Sequence, residues 1–244
     1  MDGRAKPGQG GHFLARLTQG WDGMATKSAR RKRPAAAKPA VRPGAIRRRN
    51  VAKILKAAET VFAQKGFSGA STAEIARLAG VPKPNLHYYF RTKQALYESV
   101  LDRILEMWVD AMDELRPGAD PADALSRYLA RKIDLSRRLP GPSRLWAMEM
   151  LAGAPHIGGF LRGRVRDLVK DKGALVEGWI ADGKIRPIAP AHLFFMIWAA
   201  TQTYADFSVQ MSAVMNRKHL DAEFYDDARA TITSLVLNGL GLTR

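Results

Sequence analysis

Ser71-Thr72-Ala73-Glu74-Ile75-Ala76-Arg77-Leu78-Ala79-Gly80-Val81-Pro82-Lys83-Pro84-Asn85-Leu86-His87-Tyr88-Tyr89-Phe90 decides the fold. It reads as two short helices joined by a tight turn. Ser71 and Glu74 have capping-box spacing, each positioned to satisfy an orphan donor where the first helix starts. Ile75 and Leu78 give that helix an apolar side, and the small Ala76 lets the second helix approach. Gly80 supplies the left-handed backbone the turn needs. Pro82 sits near the start of the second helix, where no donor is missed. Leu86 and Phe90, four apart, pin that helix to a core. Lys83, Asn85, His87 and Tyr88 are left outward, side chains able to donate to phosphate or meet a base edge in a major groove.

Working outward, helical spacing continues on both sides. Val51, Ile54, Leu55, Ala58, Val61 and Phe62 form a preceding helix from near Arg48, ended by Gly66, with Lys65 at its negative terminus. Thr92 is the expected N-cap of a long helix carrying Leu96, Val100, Ile104 and Trp108 and fading at Arg116-Pro117-Gly118. Further helical stretches follow over 122–138, 143–151, 156–182, 191–215 and 222–240, with 185–190 a Pro-rich connector. No segment sustains two-residue alternation. The expected class is all-α: a three-helix unit with a helix-turn-helix over 46–95, then a helical domain over 96–244.

Charge is concentrated at one end. The chain of 244 residues has a net charge of +16, and residues 1–49 contain 13 Lys/Arg against two acids. Residues 1–45 lack apolar periodicity and read as a disordered basic tail, which by itself favours non-specific contact with nucleic acid. Met24, just ahead of the basic run, is a second candidate start. There is no cysteine, which excludes disulfides, thiolate metal sites and a Cys nucleophile and suits a reducing cytoplasm. No apolar run is long enough to span a bilayer and no secretory signal is visible. His12, His87, His156, His192 and His219 show no metal-ligand spacing, and no phosphate-cradling or nucleophile-elbow motif occurs. No enzyme, metal or cofactor is expected.

Residues 48–98 resemble the N-terminal domain of the TetR family of bacterial regulators. The likeness lies in Ala57-Ala58, Phe62-Ala63, Lys65-Gly66-Phe67, Thr72, Ile75-Ala76, Ala79-Gly80-Val81, Leu86-His87-Tyr88-Tyr89-Phe90 and Lys93-Gln94-Ala95-Leu96. Pro84 departs from the small Gly or Thr frequent there, and His87 from a frequent Tyr. The resemblance implies a homodimer presenting two recognition helices to a palindromic duplex operator. Thr72, Lys83, Pro84, Asn85, His87, Tyr88, Tyr89 and Lys93 are the implied DNA-facing residues. Lys83 and Lys93 would serve phosphate, Asn85 and His87 base edges. Arg48, within the run Arg47-Arg48-Arg49, would reach the minor groove or act as a charged tether. The last two long helices would form the dimer interface, with Leu193, Ile197, Ile232, Leu235 and Val236 as candidates.

The stretches 143–155 and 192–207 resemble a narrower group, regulators of pyrimidine utilisation. That implies a small effector such as uracil or thymine, held by Trp146, Glu149, Met150, Trp179, Trp198, Gln202 and Tyr204. The same residue types also suit ordinary core, and Glu149 and Gln202 have each other or backbone as alternative partners. Asp206 suits either site or surface. A purine, an aromatic acid or a drug remains an alternative effector, and tail-driven non-specific nucleic-acid binding a distant one. The helix from Thr92 is the expected lever between the two domains.

Overall fold

The computed structural model describes residues 43–242, so the basic tail up to residue 42 lies outside the described residues. The helices are α1 Pro43–Gly69, α2 Thr72–Ala79, α3 Lys83–Tyr89, α4 Lys93–Ala111, α5 Pro121–Arg138, α6 Pro140–Leu151, α7 Gly158–Phe160, α8 Arg166–Ala181, α9 Pro190–Asp206, α10 Ser208–Val214 and α11 Ala222–Gly239. No strand occurs among the described residues, and none of their helices is long and apolar enough to cross a membrane.

α1 starts five residues ahead of Arg48, where the apolar spacing begins, so Arg47–Arg49 lie within helix rather than in an arm. It breaks where expected, at Gly66 (φ 67°, ψ 180°). Ser71 Oγ accepts from the Glu74 N–H at 3.2 Å, so half of the capping box forms. The other half does not. The Glu74 carboxylate is taken by Lys65 Nζ at 2.7 and 2.8 Å, a stronger donor than the cap N–H.

Gly80 closes α2 at φ 65°, ψ 37°, with its N–H on Arg77 O and the Val81 N–H on Ala76 O, the 6→1 bond of a Schellman turn. A Cβ added there meets nothing within 4 Å, so Gly80→Ala should cost only its left-handed backbone penalty. That is about 1–2 kcal/mol, read as a lower urea midpoint with an unchanged slope.

Two apolar clusters hold the chain together. Ile54, Ala58, Val61, Phe62, Ile75, Leu86, Leu96, Val100 and Ile104 form the first, which continues without a gap into Leu145 and Trp146 of α6. Leu78, expected in it, is 50% exposed; it flanks the face formed by Ile75, Ala76 and Ala79, on the side away from Ala76. The second joins α5, α8, α9 and α11 through Leu125, Tyr128, Leu129, Val176, Trp179, Phe194, Ile197, Ile232 and Val236.

The C-terminal half departs from expectation in three places. Residues 156–165 are not regular α-helix: a turn at Gly158–Phe160 passes into a π-helical stretch, Leu161–Val165, before α8 begins. The stretch expected as one helix over 191–215 breaks at Phe207 into α9 and α10. Leu193, Ile197, Ile232 and Val236 lie in the core of one chain, whereas Leu235 (69% exposed) on α11 and Phe195 and Met196 on α9 stay outside.

Candidate DNA-binding surface and effector region

The reading helix is fixed from behind. Leu86 is fully buried, and the Asn85 and Leu86 N–H groups both donate to Pro82 O, which seats Pro82 as the cap and Pro84 in the first turn. With Leu86 inward, Lys83, Pro84, Asn85 and Tyr88 (75% exposed) project to solvent, and His87 is half-exposed. Tyr89 is tied inward: its hydroxyl accepts from Asn50 Nδ2 of α1 at 3.4 Å, and its ring meets that of Tyr88 edge-on at 5.2 Å. Thr72, the first residue of α2, is half-buried and Arg48 is exposed. Residues 43–92 hold nine Lys/Arg and two acids, and Lys65 neutralises one of those acids, so the surface around α3 is electropositive.

Lys93 faces inward. Expected to meet phosphate, its ammonium turns inward and donates to Phe67 O at 2.8 Å and Ala70 O at 3.1 Å, 4.5 Å above the Phe67 ring. The carbonyls at the end of α1 carry partial negative charge and lie closer than any duplex. Lys93→Ala should therefore cost about 1.5–3 kcal/mol of fold stability, the range for hydrogen bonds from a charged donor. The salt dependence of DNA binding should stay unchanged, whereas loss of a phosphate contact would lower its slope by about one.

The seven residues expected around one effector cavity divide between the two clusters. Trp146, Glu149 and Met150 belong with the first; Trp179, Trp198 and Tyr204 with the second. Glu149 does not pair with Gln202. It is buried and accepts from Tyr97 OH at 3.1 Å, from the His156 N–H at 2.7 Å, and from His156 Nδ1 at 3.1 Å, a contact that places the ring proton on Nδ1. Phe67, at the end of α1, packs its ring 4.4 Å from that of His156 and 5.0 Å from that of Tyr97. Burial, then the Glu149 charge, pushes the Tyr97 hydroxyl pKa upward, so it remains a donor. Trp179 is core. Trp198 Nε1 donates to Tyr128 OH at 2.8 Å, and Tyr204 packs on Phe224 and Tyr225. Gln202, half-buried on α9, has no hydrogen bond to a described residue.

Two polar residues gain importance from the structure. Asp206 is half-buried and accepts from Ser143 Oγ at 2.6 Å; burial, first among the influences, raises its pKa. Lys132 of α5 is 3% exposed, with Nζ 4.9 Å from the Trp108 ring centroid. Its position was legible: residues 125, 128, 129, 132, 133 and 136 form the inward stripe of α5, and a lysine stands in the middle of it.

The sequence matches family profiles along nearly all of the described region. Residues 54–100 match that for bacterial regulatory proteins of the tetR family, and residues 101–243 that for the YcdC-like protein, C-terminal region. The chain belongs to the TetR family. It is 43% identical over 187 residues, 77% of this chain and 88% of the relative, to the HTH-type transcriptional regulator RutR of Escherichia coli K12. It is 30% identical over 191 residues, 77% of this chain and 90% of the relative, to the HTH-type transcriptional repressor NicS of Pseudomonas putida KT2440. Among solved structures, its fold resembles the putative transcriptional regulator SCO4942 from Streptomyces coelicolor (TM-score 0.62, 24% identity, 79% of this chain and 98% of that one). It also resembles AibR in complex with isovaleryl coenzyme A and operator DNA (TM-score 0.59, 16% identity, 76% and 97%). This TetR-family chain is thus a helix-turn-helix transcriptional regulator, as its relatives are.

Proposed function

We propose that this regulator is a cytoplasmic repressor that binds a palindromic operator as a homodimer and is released from it by a small pyrimidine such as uracil or thymine. The observation that carries the DNA reading is the polar face of α3, held outward by buried Leu86 on an electropositive unit. Exposed Phe195, Met196 and Leu235 on α9 and α11 support a second copy docking there. The likeness to RutR and the polar groups set among tryptophans support the pyrimidine.

An operator selected by the purified protein from random duplexes tests the reading. Uracil or thymine should lower its affinity, and unchanged affinity with either would remove the pyrimidine assignment. Asn85→Ala should cost about 1–3 kcal/mol on the selected operator and little on scrambled DNA, as expected for a lost bidentate base contact. Lys83→Ala should weaken both alike. Equal losses on both duplexes for the Asn85 variant would show that it reads no base.

A further inference from the structure

Lys132 is the outlier of the interior. A lysine ammonium has three donors and no acceptor capacity, and burial without partners is costly. Yet no acceptor among the described residues lies within hydrogen-bonding distance of Nζ, whose neighbours are the Trp108 ring and, beyond ion-pair contact, the charge of Asp206. Asp206 is complementary. Ser143 occupies its Oδ1, while Oδ2 receives no hydrogen bond from a described residue. The other buried polar groups nearby are satisfied: Ser136 Oγ donates to Thr201 O at 2.8 Å, and Thr201 Oγ1 donates to Ile197 O at 2.7 Å. No fully buried side-chain nitrogen or oxygen among the described residues lacks a partner, so Nζ and Oδ2 both border space that a solvent-sized group reaches, a donor group and an acceptor that no described protein group takes up.

They lie on the seam between the two apolar clusters. Trp108 and Trp146, edge-on at 4.9 Å, belong to the cluster beneath α1–α4, while α5 and α9 build the other. We propose that Lys132 and Asp206 are the polar anchors of the effector site and take the amide edge of a neutral ring, Nζ donating to its carbonyl oxygen and Asp206 Oδ2 accepting from its adjacent N–H. A carboxylate effector would bring its charge against Asp206, and an amine against Lys132, whereas a lactam or cyclic imide satisfies both groups without adding charge. Bound there, the ring stands between the cluster that carries the reading helix and the one that carries α9 and α11. It favours the arrangement in which they stand further apart. The identification of the ring as a pyrimidine rests on the function proposed above; the anchor pair does not.

Titration calorimetry on the full-length protein decides it, with uracil, 1,3-dimethyluracil and 2-pyridone as probes and Lys132→Met and Asp206→Asn as variants. Both variants should unfold cooperatively in urea. The expected result is uracil binding by the wild type, at least tenfold weaker in each variant, with 1,3-dimethyluracil unbound because it has no N–H. Uracil binding unchanged in both variants would overturn the anchor pair and leave the pyrimidine reading intact. Binding of 2-pyridone but not uracil, lost in both variants, would uphold the anchors and overturn the pyrimidine. Binding of none of the probes would overturn both.

Discussion

Glu149→Ala should lower the unfolding free energy by about 3–5 kcal/mol, the range for removing one partner of a buried charged network. The carboxylate accepts from Tyr97 of α4 and twice from His156 beyond α6, so truncation strands three donors, the buried Tyr97 hydroxyl and two from half-buried His156, and opens a void. Urea unfolding at pH 7 measures the loss. Glu149→Gln, which keeps the shape and one acceptor, should lose clearly less. Equal losses in the two variants would mean that volume rather than hydrogen bonding holds this junction. Operator affinity should fall with the Ala variant although Glu149 lies away from α3, because Phe67, whose ring is tilted against His156, lies in the last turn of the helix on which the reading unit rests.

Lys132→Met should act in the opposite sense, raising stability at pH 7 by about 1–4 kcal/mol, as replacement of buried charge by an apolar side chain of similar length does. Burial draws the Lys132 pKa from 10.5 down to about 7, only partly offset by Asp206. Below pH 7 both the folded and unfolded chains carry the charge, and the folded chain bears its full desolvation cost. Between pH 7 and 10.5 the folded chain has released the proton while the unfolded chain retains it, so this group makes wild-type stability rise with pH. The advantage of the Met variant should accordingly be greatest below neutrality and shrink across that interval. An advantage constant from pH 6 to 10 would show that packing, not charge, is its source. A residue whose removal stabilises the fold is retained for something other than the fold, which is the pattern expected of a binding group.

The backbone was far more legible than the side-chain partnerships. Gly66, Ser71, Gly80, Pro82 and Thr92 act within one or two turns of themselves, and the structure has each doing what local chemistry demands. The outward set of α3 followed from the same local rule, since Leu86 alone fixes which way a seven-residue helix faces. Long-range choices were not legible. Glu74 had two suitors, its own cap N–H and Lys65 nine residues back, and the cation won. Lys93 had phosphate or the end of α1, twenty-odd residues away, and folding brought the carbonyls first. In sequence Glu149 resembles a ligand group because its partners, 52 residues before it and seven after it, come together only once α4 and α6 pack. The broken helix at Phe207 had no Pro or Gly to announce it. Lys132 was visible on the inward stripe of α5, but only the packed structure separates a snorkelling lysine from a buried one.

The first cluster does not stop at α4; it runs on through Leu145 and Trp146 into α6 and on to Ile157. The duplex reader consequently has no hinge of its own. Whatever displaces it must carry α6 along as part of the same block, which the chain leaves after α4 and re-enters at α6. The point of re-entry is Leu139, a single non-helical residue (φ −132°, ψ 53°) that ends α5 and begins α6 ahead of Pro140. In the proposed dimer, the spacing of the two reading heads depends in part on this junction, about fifty residues downstream of them. Stiffening or loosening that one peptide should retune the response to the proposed effector while leaving every residue of the α3 face untouched.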